Sequence, residues 1–240
     1  LMNLLTQPDR RDFMNLPHDP VDYAASLERD VKGLRIGLLL DIGSGTRPTQ
    51  EVSEAVSAAA RLLEAHGATI EPLAPFLDDG LMECLNRFFQ ARAWTDLSAM
   101  PAERQEKVLP FIRDWCRPAA GYSAADAFRA IAGIFQMRER TIAATGAFDF
   151  VLSPTSPIVA YGAEEACPGN DPARPFEHIC FTAPFNQSEQ PAASIGCGMS
   201  ADGLPIGLQI VGQRFDDLGV LRLSRAYERL RGPIAPWPEP

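Results

Sequence analysis

Apolar residues recur along this chain with two different periods, and the changes between them mark the elements. Leu34, Ile36, Leu38, Leu39 and Leu40 form an apolar run behind Gly33 and predict a strand over 34–40. Val52, Ala55, Val56, Ala59, Leu62 and Leu63 then repeat at helical spacing. That helix is bracketed by Thr49, a suitable N-cap, with Glu51 near its positive end, and by Gly67, a suitable stop. Residues 68–73 predict a second strand. Strand, helix and strand in this order over 34–73 imply a parallel pair with a right-handed crossover.

Residues 81–146 predict helices, at 81–97 and 102–116 with a break near Pro101, and then a third one. Ser123 caps the third, Asp126 completes a capping box, and Gly146 ends it. Phe128, Ile131, Phe135 and Ile142 are expected on its buried face. A strand follows over 148–153, and then a surface loop over 161–176 rich in Gly, Pro and acid. Residues 181–191 read as a loop. Two apolar runs, 192–197 and 206–211, flank Asp202-Gly203, a turn pair whose glycine accepts positive φ, so they predict an antiparallel hairpin in the same sheet as 150–153. Asp216 caps a last helix over 216–231, with Leu218, Leu221, Leu223, Ala226 and Leu230 on its apolar face, and prolines from Pro233 onward stop it. Ahead of all this, residues 1–6 read as the tail of a helix, and 9–29 as a wrapping loop with a short helix near 21–29. The whole is one α/β domain over 1–240, a mixed sheet covered by helices: a strand–helix–strand unit at 34–73, a helical segment at 81–146, a sheet core with the hairpin at 148–212, and a terminal helix at 216–231.

The 240 residues suffice for one substantial core, and 46% hydrophobic with 22% charged residues is ordinary for a globular protein. The net charge of −9 argues against nucleic acid or an anionic membrane as partner, because both need a basic face. Five cysteines, an odd number without a Cys-x-x-Cys pair, read as reduced thiols of a cytoplasmic protein. No apolar run approaches membrane-spanning length, and the start lacks the basic region of a secretory signal. The chain opens on Leu1 within helix-like sequence, which suggests a truncated piece of a longer protein.

Several groupings invite chemistry and each has a plainer reading. Asp41-Ile42-Gly43-Ser44-Gly45-Thr46 follows a strand and precedes a helix, as phosphate loops do. Pro48 stands where the third glycine belongs and no Gly-Lys-Thr follows, so a flexible connecting loop is the better reading. Cys167, His178 and Cys180 offer three donors without regular spacing, one short of a structural zinc site, so no metal is expected. Asp78-Asp79, Glu164-Glu165 and Asp216-Asp217 are adjacent acids whose side chains diverge, as in caps and solvated loops. A Ser153, His178 and Asp149 triad is conceivable, but no Gly-x-Ser-x-Gly elbow presents a serine.

The segment Pro184-Phe185-Asn186, Pro191-Ala192, Asp202-Gly203-Leu204-Pro205-Ile206-Gly207-Leu208-Gln209 resembles the C-terminal region of the amidase signature family. Phe150-Val151-Leu152-Ser153-Pro154-Thr155-Ser156-Pro157 resembles that family's strand ending in Pro-Thr-x-Pro, and Pro8-Asp9-Arg10-Arg11-Asp12 the segment after its catalytic region. The resemblance implies hydrolysis of a carboxamide to a carboxylic acid and ammonia or amine, through a serine acyl-enzyme with a bridging serine and a neutral lysine base. Here no two serines are adjacent, and the two lysines, Lys32 and Lys107, sit in polar surroundings, so no catalytic residue is assigned to this chain and the chain alone is expected to be inactive. The resemblance implies a pocket wall at Thr155, Phe181, Thr182 and Asn186, for a small-molecule amide, with no cofactor. Glutamine-using members tend to carry an acid three positions before that threonine; Ile179 stands there and favours a less polar amide. The alternative is a non-catalytic binding or assembly module with the same fold. Glu189 replaces a usual glycine, so it is expected at positive φ or in a remodelled turn. Without further elements over it, the sheet bearing Ile195, Ile206 and Leu208 is expected to expose an apolar patch and drive homo-oligomer formation.

Overall fold

The computed structural model describes residues 1–16, 18, 20–25 and 27–233. Its sheet comprises β1 (Arg35–Leu38), β2 (Thr69–Pro72), β3 (Phe150–Pro154), β4 (Ala192–Met199) and β5 (Pro205–Gly212), in the spatial order β2-β1-β3-β5-β4. β1 pairs parallel with both β2 and β3, whereas β5 runs antiparallel to β3 and to β4. The expected hairpin forms, with Ala192 opposite Val211 and an irregularity between Gly196 and Gly198. Its turn closes as the sequence implies: Gly203 adopts φ 78°, and the Ser200 hydroxyl accepts from Leu204 N–H.

The helices are α1 (Met2–Leu5), α2 (Gln50–Ala65), α3 (Asp79–Ser98), α4 (Ala102–Gln105), α5 (Pro110–Cys116), α6 (Ala124–Thr145), α7 (Ala183–Ser188) and α8 (Asp217–Arg231). Strand alternation sends successive side chains to opposite faces of the sheet, and each face has its own core. Ile36, Phe150, Leu152, Leu208 and Ile210 pack under α2 and α8, whereas Leu39, Val151 and Val211 pack under α3, α6 and α7. The result is three layers, helices on both sides of a mixed sheet. The predicted caps are in place: Thr49 accepts from Val52 N–H, Ser123 and Asp126 close the capping box, and Asp216 accepts from Gly219 N–H.

Five expectations are corrected. On α6, Phe128, Ile131, Phe135 and Ile142 face outward, at 72%, 38%, 57% and 36% exposure. The buried face is instead Ala130, Gly133, Met137, Thr141 and Thr145. Small residues win that face because α3 lies close: a Cβ on Gly133 would stand 2.4 Å from Cys84 Cβ. Leu208 is buried in the core under α2 and α8, and Ile206 is buried as well, so the sheet does not expose them. Residues 181–191 are not all loop. Pro184 sits in the first turn of α7, where its missing N–H costs nothing. Helix is interrupted between 105 and 110, where Pro110 starts a new one, and the described residues of 21–29 hold a turn at 23–25 in place of the short helix. The proline-rich stop expected beyond residue 233 lies outside the described residues.

Glu189 does adopt the left-handed conformation (φ 58°), ending α7 where glycine is the less strained residue. Its carboxylate accepts from Arg138 of α6 and Arg214 of the β5–α8 connection. The side chain thus supplies ion pairs that a glycine could not, and the arginines, Arg138 foremost, hold its carboxyl below the ordinary range.

Candidate functional site

The strand order fixes where a crevice can form. From β1 the chain crosses to β2 on one side, and it later returns to β3 on the other. Loops leaving the carboxyl ends of neighbouring strands therefore diverge at the β1–β3 boundary, the position where open α/β sheets bind ligands. A cleft of about 200 Å3 lies there, lined by residues 41–48, Asp79 and Phe181. The 41–48 loop is pinned at several points, contrary to the flexible loop expected. Asp41 accepts from Gly43 N–H at 2.9 Å, and the Ser44 hydroxyl donates to Asp79 Oδ1 at 2.6 Å. Thr46 N–H donates to Glu177 O, and Thr49 N–H to Pro157 O. Gly45 is required by position: its φ is 81°, and a Cβ there would stand 2.5 Å from Cys180 Cβ.

Beside the cleft, polar groups occupy the same sheet face near the free end of the hairpin. Gln209, 4% exposed within an otherwise apolar strand, donates through Nε2 to Ser153 Oγ at 2.8 Å and to Phe181 O at 2.9 Å. Ser153 donates in turn to Pro154 O. One side chain therefore ties β5 to β3 and fixes the segment that carries Phe181. Two residues beyond Ser153, Thr155 shares a hydroxyl–hydroxyl hydrogen bond of 2.7 Å at the surface with Ser194, which stands opposite Gln209 on β4. Gly207 makes room for it, since a Cβ there would stand 2.8 Å from Thr155 Oγ1. The result is a ledge with buried polar supports and an accessible hydroxyl pair.

The four residues assigned to a pocket wall separate into three places. Phe181 is buried and lines the cleft. Thr155 stands on the ledge. Thr182 stands at the N-cap of α7, its hydroxyl donating to Ile179 O, and Asn186 lies within that helix, exposed. Sequence reasoning gave no role to Ser194 or to the Gln209 side chain, weighed Ser153 only as a triad serine and Asp79 only as one of an acid pair; a glutamine inside an apolar strand run was the available signal for Gln209.

The other candidates do not assemble. Asp149 accepts from Arg35 N–H at the amino end of β3, whereas Ser153 sits near its carboxyl end, about 13 Å away along an extended strand. His178 meets Tyr161 instead, and burial lowers its pKa. The five thiols are unpaired, and burial pushes Cys180 up to about 12 and Cys197 to about 11, so neither is a thiolate near neutrality. Among the described residues no group of three or more His, Cys, Asp or Glu side chains is placed to hold a metal ion. No described helix is long and apolar enough to cross a membrane. Lys32 and Lys107 are exposed.

Known proteins share this fold. The family model described as Amidase matches residues 1–221. A Glutamyl-tRNA(Gln) amidotransferase subunit of Myxococcus xanthus is 32% identical over 95% of the chain and 51% of its own length. A bacterial aryl acylamidase of the amidase signature enzymes superposes with a TM-score of 0.80 at 25% identity, over 95% of this chain and 50% of that one. The corresponding Glutamyl-tRNA(Gln) amidotransferase subunit of Thermotoga maritima does so with 0.69 at 25% identity, over 92% and 48%. The chain spans about half the length of the curated relatives it matches.

Proposed function

The chain belongs to the amidase signature family, and from that premise we propose that it forms the substrate-side wall of an enzyme cleaving an amide C–N bond to a carboxylic acid and ammonia or amine. The observation that carries this reading is the ledge. The Asp202-Gly203-Leu204-Pro205-Ile206-Gly207-Leu208-Gln209 run builds it, with Gln209 as buried support and Gly207 as the gap for the Thr155–Ser194 pair. Buried hydrogen bonds of this kind fix a wall without reacting, because each polar atom is already engaged.

Acyl transfer needs a nucleophile, a base and an oxyanion cradle. Ser153 is buried with its hydroxyl committed to Pro154 O, and among the described residues no lysine or histidine is hydrogen-bonded to it. The catalytic lysine and serine pair therefore come from polypeptide outside these 240 residues, and this chain by itself forms no acyl-enzyme. Phe181 and Thr155, with Thr182 and Asn186 on the adjoining helix turn, face a small-molecule amide less polar than glutamine, with Ile179 in place of an acid. No cofactor takes part, and the compartment is the cytoplasm.

A second reading, a non-catalytic assembly module, is favoured by relatives named as components of an amidotransferase. Two measurements separate them. The 240-residue chain is assayed on a panel of aliphatic and aryl amides and treated with a fluorophosphonate probe for reactive serines; neither turnover nor labelling is expected. The chain is then joined to a polypeptide carrying the lysine and paired serines. Turnover that appears on joining, with KM raised by Thr155→Val, supports the enzyme reading, and continued silence supports the assembly reading. Turnover by the chain alone that is abolished by Ser153→Ala or His178→Ala would overturn both.

A further inference from the structure

We propose that the outward face of α6 is a homodimer seam on which a second copy of this chain packs antiparallel, about a two-fold axis at Phe135. The helix has 22 residues and is about 33 Å long. Phe128, Phe135 and Ile142 recur every seven residues, and Ile131 fills the position between the first two. A spacing of seven keeps a stripe facing a partner helix that crosses at a shallow angle. All four are exposed, while the helix's opposite face is already buried on α3 and α7.

The stripe is self-complementary in a way that selects its occupant. Phe135 lies midway between Phe128 and Ile142, seven residues from each. Reversing a second copy about Phe135 therefore sets Phe128 against Ile142 at both ends, and Phe135 against its own counterpart. That is the isologous match a two-fold axis requires, with the same patch on both copies. The arginines of the helix do not interrupt it. Arg129, Arg138 and Arg140 are held by Asp126, Glu189 and Asp78, so each guanidinium is drawn toward an acid of its own chain.

The area sets the strength. At their observed exposure, the four side chains offer about 400 Å2 per copy. A stable interface of standard size takes roughly 800 Å2 per partner, so the stripe, rimmed by Ala124, Ala132, Gln136 and the exposed Glu139, fits a reversible dimer of micromolar Kd better than an obligate one.

Sedimentation velocity on the full 240-residue chain, from about 1 to 200 μM, tests this. A concentration-dependent monomer–dimer equilibrium is expected, weakened roughly 30-fold or more by Phe135→Glu, which sets two carboxylates against each other on the axis. Phe135→Lys is expected to do the same. Mixing the Glu and Lys variants is expected to restore the dimer, because the axis then holds opposite charges. Urea midpoints of each variant alone check that the fold is intact. Recovery on mixing requires two copies meeting at residue 135, which a merely destabilised variant cannot imitate. A wild-type chain that stays monomeric to 200 μM, an association unmoved by Phe135→Glu, or variants that dissociate without recovering on mixing would each overturn the proposal. The first of these outcomes would leave the stripe to another occupant, such as a further segment of a longer polypeptide.

Discussion

Replacing Gln209 by Leu tests the ledge where it is most concentrated. The side chain is 4% exposed and its Nε2 donates to Ser153 Oγ at 2.8 Å and to Phe181 O at 2.9 Å. Leucine is close in volume, so it leaves little cavity, and the loss is that of the two hydrogen bonds. A neutral hydrogen bond contributes about 1 kcal/mol net, and stranding a buried acceptor costs about 1–3 kcal/mol. Phe181 O loses its side-chain donor outright, whereas Ser153 keeps its bond to Pro154 O. The sum is about 2–4 kcal/mol. With a urea m-value of about 3 kcal/mol/M for a chain of this size, the unfolding midpoint should fall by about 1 M at unchanged m. Ser153→Ala should cost less, about 1 kcal/mol, because Gln209 still reaches Phe181 O. The double variant should cost less than the sum of the two, because both remove the same bond. A midpoint shift under about 0.2 M for Gln209→Leu, or strict additivity in the cycle, would refute the view that this side chain supports the wall.

Other expectations follow from the same structure. Gly133→Ala should destabilise by roughly 1–2 kcal/mol in urea, since overpacking against Cys84 outweighs the helix-propensity gain of about 1 kcal/mol, and Cys84→Gly in the same chain should recover most of the loss. Cys180, whose thiol burial pushes up to about 12, should resist iodoacetamide at pH 8 in the native protein and react in urea, as read by peptide mass spectrometry; rapid native labelling would contradict its burial. Asp78 caps α3 and pairs with Arg140, and that pairing, chiefly, lowers its carboxyl pKa. Its contribution is present above the unfolded carboxyl's value near 4 and is lost as pH falls through the lower folded value. The stability gap between wild type and Asp78→Asn should therefore be under about 1 kcal/mol at pH 7, the pair being half exposed, and should shrink as acid is added below pH 4.

The hairpin was legible because Asp202-Gly203 is a local signal: two residues decide the turn, and the apolar runs on either side decide the pairing. The α2 and α6 caps were legible for the same reason. The orientation of α6 was not. Periodicity finds a stripe, but which stripe is buried depends on how close the neighbouring helix comes, and that is set by Gly133 against Cys84, far apart in sequence. The α7 helix was hidden by Pro184, which reads as a breaker unless its place in the first turn is known. Of the four residues expected at a pocket wall, Phe181 lines the cleft, and what supports it was not legible. The reason is that Gln209 acts through a tertiary bond to Phe181 O, which no local pattern encodes.

The order of the strands also governs how the molecule assembles. β1 and β2 belong to one short stretch of chain, as do β4 and β5, and each pair can close early at modest loop entropy. β1 meets β3 only when Ile36 finds Phe150, more than a hundred residues away, so this pairing carries the larger loop-closure cost and the higher contact order. The cleft lined by residues 41–48, Asp79 and Phe181 straddles that junction. A ligand held there would touch both sides at once and act as a clasp, raising the free energy of opening the junction by its own binding. In hydrogen exchange, amides of β1 and β3 that open independently of the rest in the free protein would then exchange only with global unfolding once the cleft is filled.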